Sequence, residues 1–392
     1  MMDTQMHEDT QEHPNSMEDR TLPLLHDSKI DQEIQEVKVK KKGGRKHKAK
    51  WLKRPMALSD VIVELYETDL RENALRCLSN HLNERREEEP DKYSKAGFFI
   101  FHACGIMAIL LQEVLSAFVK MKAGDLNIRG SKRLANVLTL FQCTAANKEI
   151  RGKFVNAHIP NYLVPFILFE NTEEYVESVR AIALSVIGIA VQAREMEVIR
   201  WAIKNSIMEV CLSAIDIGSE LSKVIAMHIM ETILQTNYGI TYVCESNTPL
   251  LDKLLKMCEQ TVLALVREQD FSPRPLFHVI RCYILLCKNH RALELIKKNL
   301  PEHLLNNTFH EITEEFPVIN QLLNQLLLNV GKLEDIQVMV KSKINYQDVR
   351  YNSKYTSPSE VLIPMNPRDL NKEYWPSSGF CPSIPLFYGK EN

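Results

Sequence analysis

The chain has 392 residues (45.2 kDa), of which 45% are hydrophobic and 25% charged, so a substantial apolar core is available. The formal net charge of −2 excludes a whole-protein electrostatic footprint for nucleic acid. No charge-free apolar run nears the roughly 18 residues of a membrane span and no apolar segment opens the chain, so neither a membrane nor a secreted protein is expected.

The near-neutral total hides a split. Residues 1–37 carry a net charge of −8, and residues 38–54 a net charge of +10. The stretch ends in KVKKKGGRKHKAKWLKR, where like charges repel and two glycines interrupt any helix. Residues 1–54 are therefore expected to form a disordered extension with a basic arm. Lys38, Lys40, Lys41, Lys42, Arg45, Lys46, Lys48 and Lys50 make up that arm. Such a cluster docks on a nuclear-import receptor or on nucleic-acid phosphates, with an uncommitted soluble tail as the alternative.

Residues 55–330 read as helix after helix. Apolar side chains recur at spacings of three and four over 56–68, 71–87, 98–121, 131–146 and 173–192. The same spacing runs through 195–215, 219–235, 249–267, 273–288 and 315–329. Pro90, Gly124, Gly130, Pro160, Gly218, Pro249, Pro273 and Pro301 are read as stops, and Ser131 and Ser219 as N-caps. Nothing in the pattern argues for a sheet. Six of the 17 prolines fall in residues 331–392, which are expected to be a loosely ordered tail. Trp375, Phe380, Phe387 and Tyr388 would anchor that tail if it docks.

A weak repeat organises the middle. LTLFQCTAANKEIRGKFV from Leu138, LSVIGIAVQAREMEVIRWAI from Leu184, HIMETILQTNYGITYVC from His228 and VIRCYILLCKNHRALELI from Val279 look alike. Each is an apolar helix, a short polar turn and a second, amphipathic helix. With Asn147, Arg194, Asn237 and Asn289 as markers, the spacings are 47, 43 and 52 residues, near the armadillo and HEAT period. One such unit cannot bury its own apolar faces. The expectation is an all-α, armadillo-type helical-repeat solenoid of about six repeats.

Catalytic and metal signatures are missing from the sequence. There is no CxxC, HExxH, GxGxxG or Walker A pattern, so no catalytic residue, cofactor site or metal site is assigned. The nine cysteines are an odd number without close pairing; Cys104, Cys143, Cys211, Cys244, Cys282 and Cys287 read as small core residues in a reducing compartment. His102, His158, His228 and His278 look scattered, and none adjoins a nucleophile.

Binding is the function left open to a solenoid. Arg133, Arg151, Arg180, Lys223, Arg274, Arg281 and Arg291 are spaced through the repeats and would form a groove for phosphates or an acidic peptide if they converge. The competing reading makes them surface cations, some paired with glutamates. Arg281 lies among apolar residues three positions after His278, so it is held by internal carboxylates or exposed on an inner face. Tyr175, Phe166, Tyr238 and Tyr242 line pockets or cap the core.

Several stretches carry a family resemblance: RENALRCLS from Arg71, FHACGIMAILLQEV from Phe101, LFQCTAANKEIRGKFVNAHIPNYLVPF from Leu140 and SVIGIAVQAREMEVI from Ser185. GSELSKVIAMHIMETIL from Gly218 and HVIRCYILLCKNHRALELIKKNLPEHLLNNTF from His278 complete the set. Over roughly residues 58–328 the chain resembles the Rcd-one-like (Caf-forty) cell-differentiation family, the armadillo-repeat subunit of the Ccr–Not deadenylase complex. The resemblance implies a noncatalytic scaffold of about six repeats, without cofactors, that supports mRNA deadenylation, mRNA decay and translational repression. Its implied partners are the Not scaffold subunit and short linear motifs of RNA-binding adaptors or silencing proteins, with single-stranded nucleic acid as a further ligand and no membrane. A homodimer is among the oligomeric options. The implied location is the cytoplasm, including mRNA-processing bodies, and the nucleus. Phe101 stands where the family usually has Trp, and Ile284 and Lys288 stand where it has an arginine and a turn aspartate, so one groove cation is expected to be lost. The alternative is a nucleic-acid-binding module acting in transcriptional control through the basic arm and groove.

Overall fold

A computed structural model describes residues 58–332, apart from 246, 248 and 269–271. The N-terminal extension, its basic arm and the tail beyond 332 lie outside the described residues. The described residues form seventeen α-helices and no strand. The series opens with α1 (Leu58–Glu64), α2 (Thr68–Glu88), α3 (Pro90–His102) and α4 (Ile106–Ala123). It continues with α5 (Ile128–Ala146), α6 (Lys148–Asn156), the short α7 (Val164–Ile167) and α8 (Glu174–Gln192). Next come α9 (Met196–Lys204), α10 (Ile207–Ile217), α11 (Glu220–Leu234), α12 (Asn237–Val243), α13 (Leu250–Arg267) and α14 (Pro273–Leu286). The last three are α15 (His290–Asn299), α16 (His310–Glu315) and α17 (Pro317–Asn329).

Helices α6–α8, α9–α11, α12–α14 and α15–α17 form successive triplets, each closing on a long helix. The long helices stack in chain order, α2 on α5, α5 on α8, α8 on α11, α11 on α14 and α14 on α17. The short leading helices α6, α9 and α12 stack likewise. This is the expected armadillo-type helical solenoid. Its packing goes further than the three-four spacing implies. Every residue from Val179 to Val191 of α8 is buried, and so is Pro275 to Leu286 of α14 except Arg281. A helix that is apolar on all sides needs neighbours on all sides, and the repeats on either flank supply them.

Several expected boundaries shift for local reasons. The run 98–121 is two helices, because Gly105 adopts a left-handed φ of 73° and turns the chain by 89° between α3 and α4. The run 195–215 also divides, at Ser206, whose φ is 51°. Pro90 and Pro273 start helices rather than stop them: at the first helical position the missing amide has no partner to lose. Asn127, not Ser131, caps α5, its side chain accepting from the Gly130 amide, and Ser131 is buried one turn inside. Ser219 does hold the N-cap position of α11, but its backbone N–H donates to the Glu177 carboxylate of the preceding repeat. Cys143, Cys211, Cys244, Cys258 and Cys282 are buried as expected of core residues, whereas Cys104 lies exposed in the α3–α4 turn.

Helix α3 approaches α5 closely through Gly97. A Cβ there would stand 2.2 Å from the Cys143 carbonyl oxygen, and the Cys143 thiol donates to the Tyr93 carbonyl at 2.8 Å in the same contact. Gly97→Ala must push the two helices apart, and it is expected to lower unfolding free energy by about 3 kcal/mol. Urea unfolding followed by circular dichroism checks this; a loss under about 0.5 kcal/mol would contradict the close contact.

Candidate functional site

The seven spaced cations do not share one surface role. Arg151 of α6 is buried. Its Nε donates to the Ala145 carbonyl at 2.7 Å and its Nη2 to the Ala146 carbonyl at 2.8 Å, closing the C-terminal end of α5. Its Nη1 meets Glu195, the N-cap of α9, at 2.6 Å. Arg71 treats the end of α1 in the same way, donating to the Leu65 and Tyr66 carbonyls. Arg291 of α15 donates to the Cys244 and Glu245 carbonyls after α12, at 3.0 and 2.7 Å. Arg180 of α8 is fully buried; it donates to the Ile167, Phe169 and Asn171 carbonyls and pairs with Glu177. Each guanidinium thus donates to carbonyls at or just beyond the C-terminal end of an earlier helix.

Arg133 belongs to a second arrangement. Its Nε and Nη2 grip Glu113 at 2.6 and 2.8 Å, and its Nη1 reaches Glu72 at 3.2 Å. Glu113 also takes Arg71 at 3.3 Å, while Glu72 receives Arg129 through two bonds at 2.8 and 3.0 Å. Three arginines and two glutamates therefore tie α2, α4 and α5 together. Burial alone would raise the Glu113 carboxyl, but the bonds from Arg133 and Arg71 hold it below its ordinary value.

Lys223 on α11 is half-buried and makes no side-chain hydrogen bond or ion pair among the described residues. Arg274 is half-buried in the first turn of α14. Arg281 is held by an internal carboxylate: its Nε donates to Glu231 of α11 at 3.0 Å, it lies over the Phe277 ring at 5.4 Å, and part of its side chain stays open to solvent. Ile284, at the position of the expected lost cation, is buried in the core, and Lys288 is exposed beyond the end of α14. Of the candidate aromatics, Phe166 is buried against Phe118, Tyr175 and Tyr242 are half-buried, and Tyr238 is exposed beside Arg200.

Around Glu231 the structure assembles residues that look scattered in the sequence. Glu231 is 1% exposed, and His278 of α14 places Nδ1 3.4 Å from its Oε1. His228, one turn earlier on α11, places Nδ1 3.9 Å from Oε2. The two imidazoles lie edge to face at 6.0 Å. Burial pushes His228 down to about 4, against the pull of Glu231. For Glu231 burial works upward, yet Arg281, His278 and His228 together hold the carboxyl below its usual range. A signal for this cluster did exist, since His228 and Glu231 are three apart on a helix. The 50-residue separation of His278 from His228 hid the rest.

Glu113 supports a test of the second network. A carboxylate lowered in the folded state contributes stability above its ordinary range and loses it as pH falls through the folded value. Glu113→Gln is expected to cost about 2 kcal/mol at neutral pH, because two arginines lose their counter-charge. The gap between variant and wild type should close as the solution is acidified, read by urea unfolding at a series of pH values. A gap independent of pH would show that charge is not what Glu113 supplies.

Comparison with known proteins gives this architecture a lineage. Residues 61–330 match the model of the cell differentiation family, Rcd1-like. The chain is 33% identical over 285 residues to the cell differentiation protein rcd1 of Schizosaccharomyces pombe, covering 73% of this chain and 96% of that protein. It is 31% identical over 245 residues to protein CAF40 of Saccharomyces cerevisiae, covering 62% of this chain and 64% of that protein. The matched range runs from within α1 to the residue after α17, so it takes in all but the first three residues of the helical series. The chain belongs to the Rcd1-like cell-differentiation family.

Proposed function

We propose that the protein is an adaptor subunit of the Ccr–Not complex that binds the Not scaffold and gathers regulatory proteins through their short linear motifs. In this role it supports mRNA deadenylation, mRNA decay and translational repression in the cytoplasm, mRNA-processing bodies and nucleus. The observation that carries the reading is the family match across nearly the entire helical body, from residue 61 to residue 330. The physical character of the surface supports it. The guanidinium groups of Arg71, Arg133, Arg151, Arg180 and Arg291 are spent on internal carbonyls and carboxylates. Exposed apolar side chains such as Phe99, Leu115, Val119 and Met196 remain for protein contacts. Leu115 and Val119 stand one turn apart on the same face of α4. With one face fixed to the scaffold, weak peptide contacts elsewhere gain from a high effective concentration.

A nucleic-acid-binding role rests on a different observation, the +10 charge of residues 38–54. The two readings respond differently to salt. Phosphate contacts make log affinity fall steeply with log salt concentration, whereas apolar peptide contacts respond weakly.

The full chain mixed with its Not scaffold domain is expected to form a one-to-one complex that survives gel filtration. Tethered to a reporter mRNA, the chain should shorten the poly(A) tail, and depletion of the Not scaffold should abolish that effect. A folded chain that forms no complex and leaves the reporter untouched would overturn the adaptor reading. Steeply salt-dependent binding to single-stranded oligonucleotide would then favour the basic arm.

A further inference from the structure

We propose that His228, Glu231 and His278 form a binding site for a divalent ion of the zinc class, built across the junction between α11 and α14. Nothing in the adaptor role requires it.

The placement comes from helix geometry and repeat register. His228 and Glu231 are three apart on α11 and share a face. His278 comes from the next long helix, which packs on that face. The three donor atoms lie within 4.8 Å of one another, with His278 Nδ1 and His228 Nδ1 at 3.4 and 3.9 Å from the two carboxylate oxygens. Donors bound to zinc at about 2.0–2.2 Å in a tetrahedral array stand about 3.3–3.6 Å apart. Small side-chain rotations therefore bring this set to bonding distance.

A second observation points to a ligand. His278 is 5% exposed, yet its Nδ1, 3.4 Å from Glu231 Oε1, has no hydrogen-bond partner among the described residues. An unsatisfied buried nitrogen is costly, and a metal ion would use its lone pair. His228 is 25% exposed, which leaves an entry path from solvent.

Arg281 both helps and limits the site. Its bond to Glu231 Oε1, together with its packing over Phe277, fixes the carboxylate and leaves Oε2 facing His228. Its positive charge opposes a dication nearby, so the site is expected to bind reversibly rather than as a closed structural centre. Two imidazoles and one carboxylate with an open position is a zinc-type donor set, whereas calcium and magnesium take mostly oxygen.

The test uses the untagged full chain, stripped with a chelator and titrated with Zn²⁺ by calorimetry and with Co²⁺ by visible absorption. One ion per chain is expected, with cobalt bands of nitrogen–oxygen coordination and a rise in melting temperature on saturation. His228→Phe, at a partly exposed position, should fold normally and lose more than about tenfold in affinity together with the melting shift. Glu231→Gln should do the same; if it fails to fold, His228→Phe alone decides. His310→Ala serves as the control, because His310 is exposed and pairs with Glu314 one turn away, and binding should be unchanged. Absence of stoichiometric binding, or equal affinity in His228→Phe, would overturn the proposal. Cobalt–thiolate charge-transfer bands would place the ion on a cysteine and overturn it as well.

Discussion

The structure depends on one constraint: the long helices are apolar around almost their whole circumference. A helix such as α8, buried without interruption from Val179 to Val191, cannot be completed by the two helices of its own repeat. It needs α5 on one side and α11 on the other. Burial of apolar surface at roughly 25 cal/mol per Å² then favours continued stacking, and no repeat has a complete core of its own. The chain order of contacts, long helix on long helix, follows from that requirement.

Stacking of this kind buries helix ends, and helix ends carry carbonyls without partners. The arginines answer that problem. Arg151, Arg180 and Arg291 each send a planar fork of donors into carbonyls left by earlier helices. Arg151 also reaches the N-cap of the following repeat, so one side chain fixes both a helix end and a junction. A lysine would offer a point charge without the fork. The cations are thus part of how the repeats are joined. What remains on the outside is a scaffold surface of apolar side chains and solvated charge, with no catalytic requirement.

Much of this was legible in the sequence, and the failures have specific causes. Helices and repeat period follow from apolar spacing and from the four similar segments, and Asn147 and Asn289 do cap helices as turn markers should. Boundaries at Gly105 and Ser206 were not legible, because a left-handed residue inside an apolar run leaves the three-four pattern intact on both sides. Pro90 and Pro273 were read in the wrong direction, since proline at a helix start and proline after a helix end look alike without the flanking geometry. Several partners lie far away in the chain: Glu72 is 61 residues from Arg133, Glu195 is 44 from Arg151, and Glu177 is 42 from Ser219. Only the register of stacked repeats makes such pairs neighbours. The Glu231 cluster was hidden for the same reason, because His278 reaches it from the next repeat.

The central claim is that the long helices share one core across repeat boundaries. Native-state hydrogen exchange measured helix by helix tests this most directly. The account predicts that amides of α5, α8, α11 and α14 exchange with a common, high opening free energy, while α1 and α17 at the flanks open more readily. If α8 and α11 opened separately, each with its own low free energy, the repeats would be independent bodies and the shared core would be contradicted.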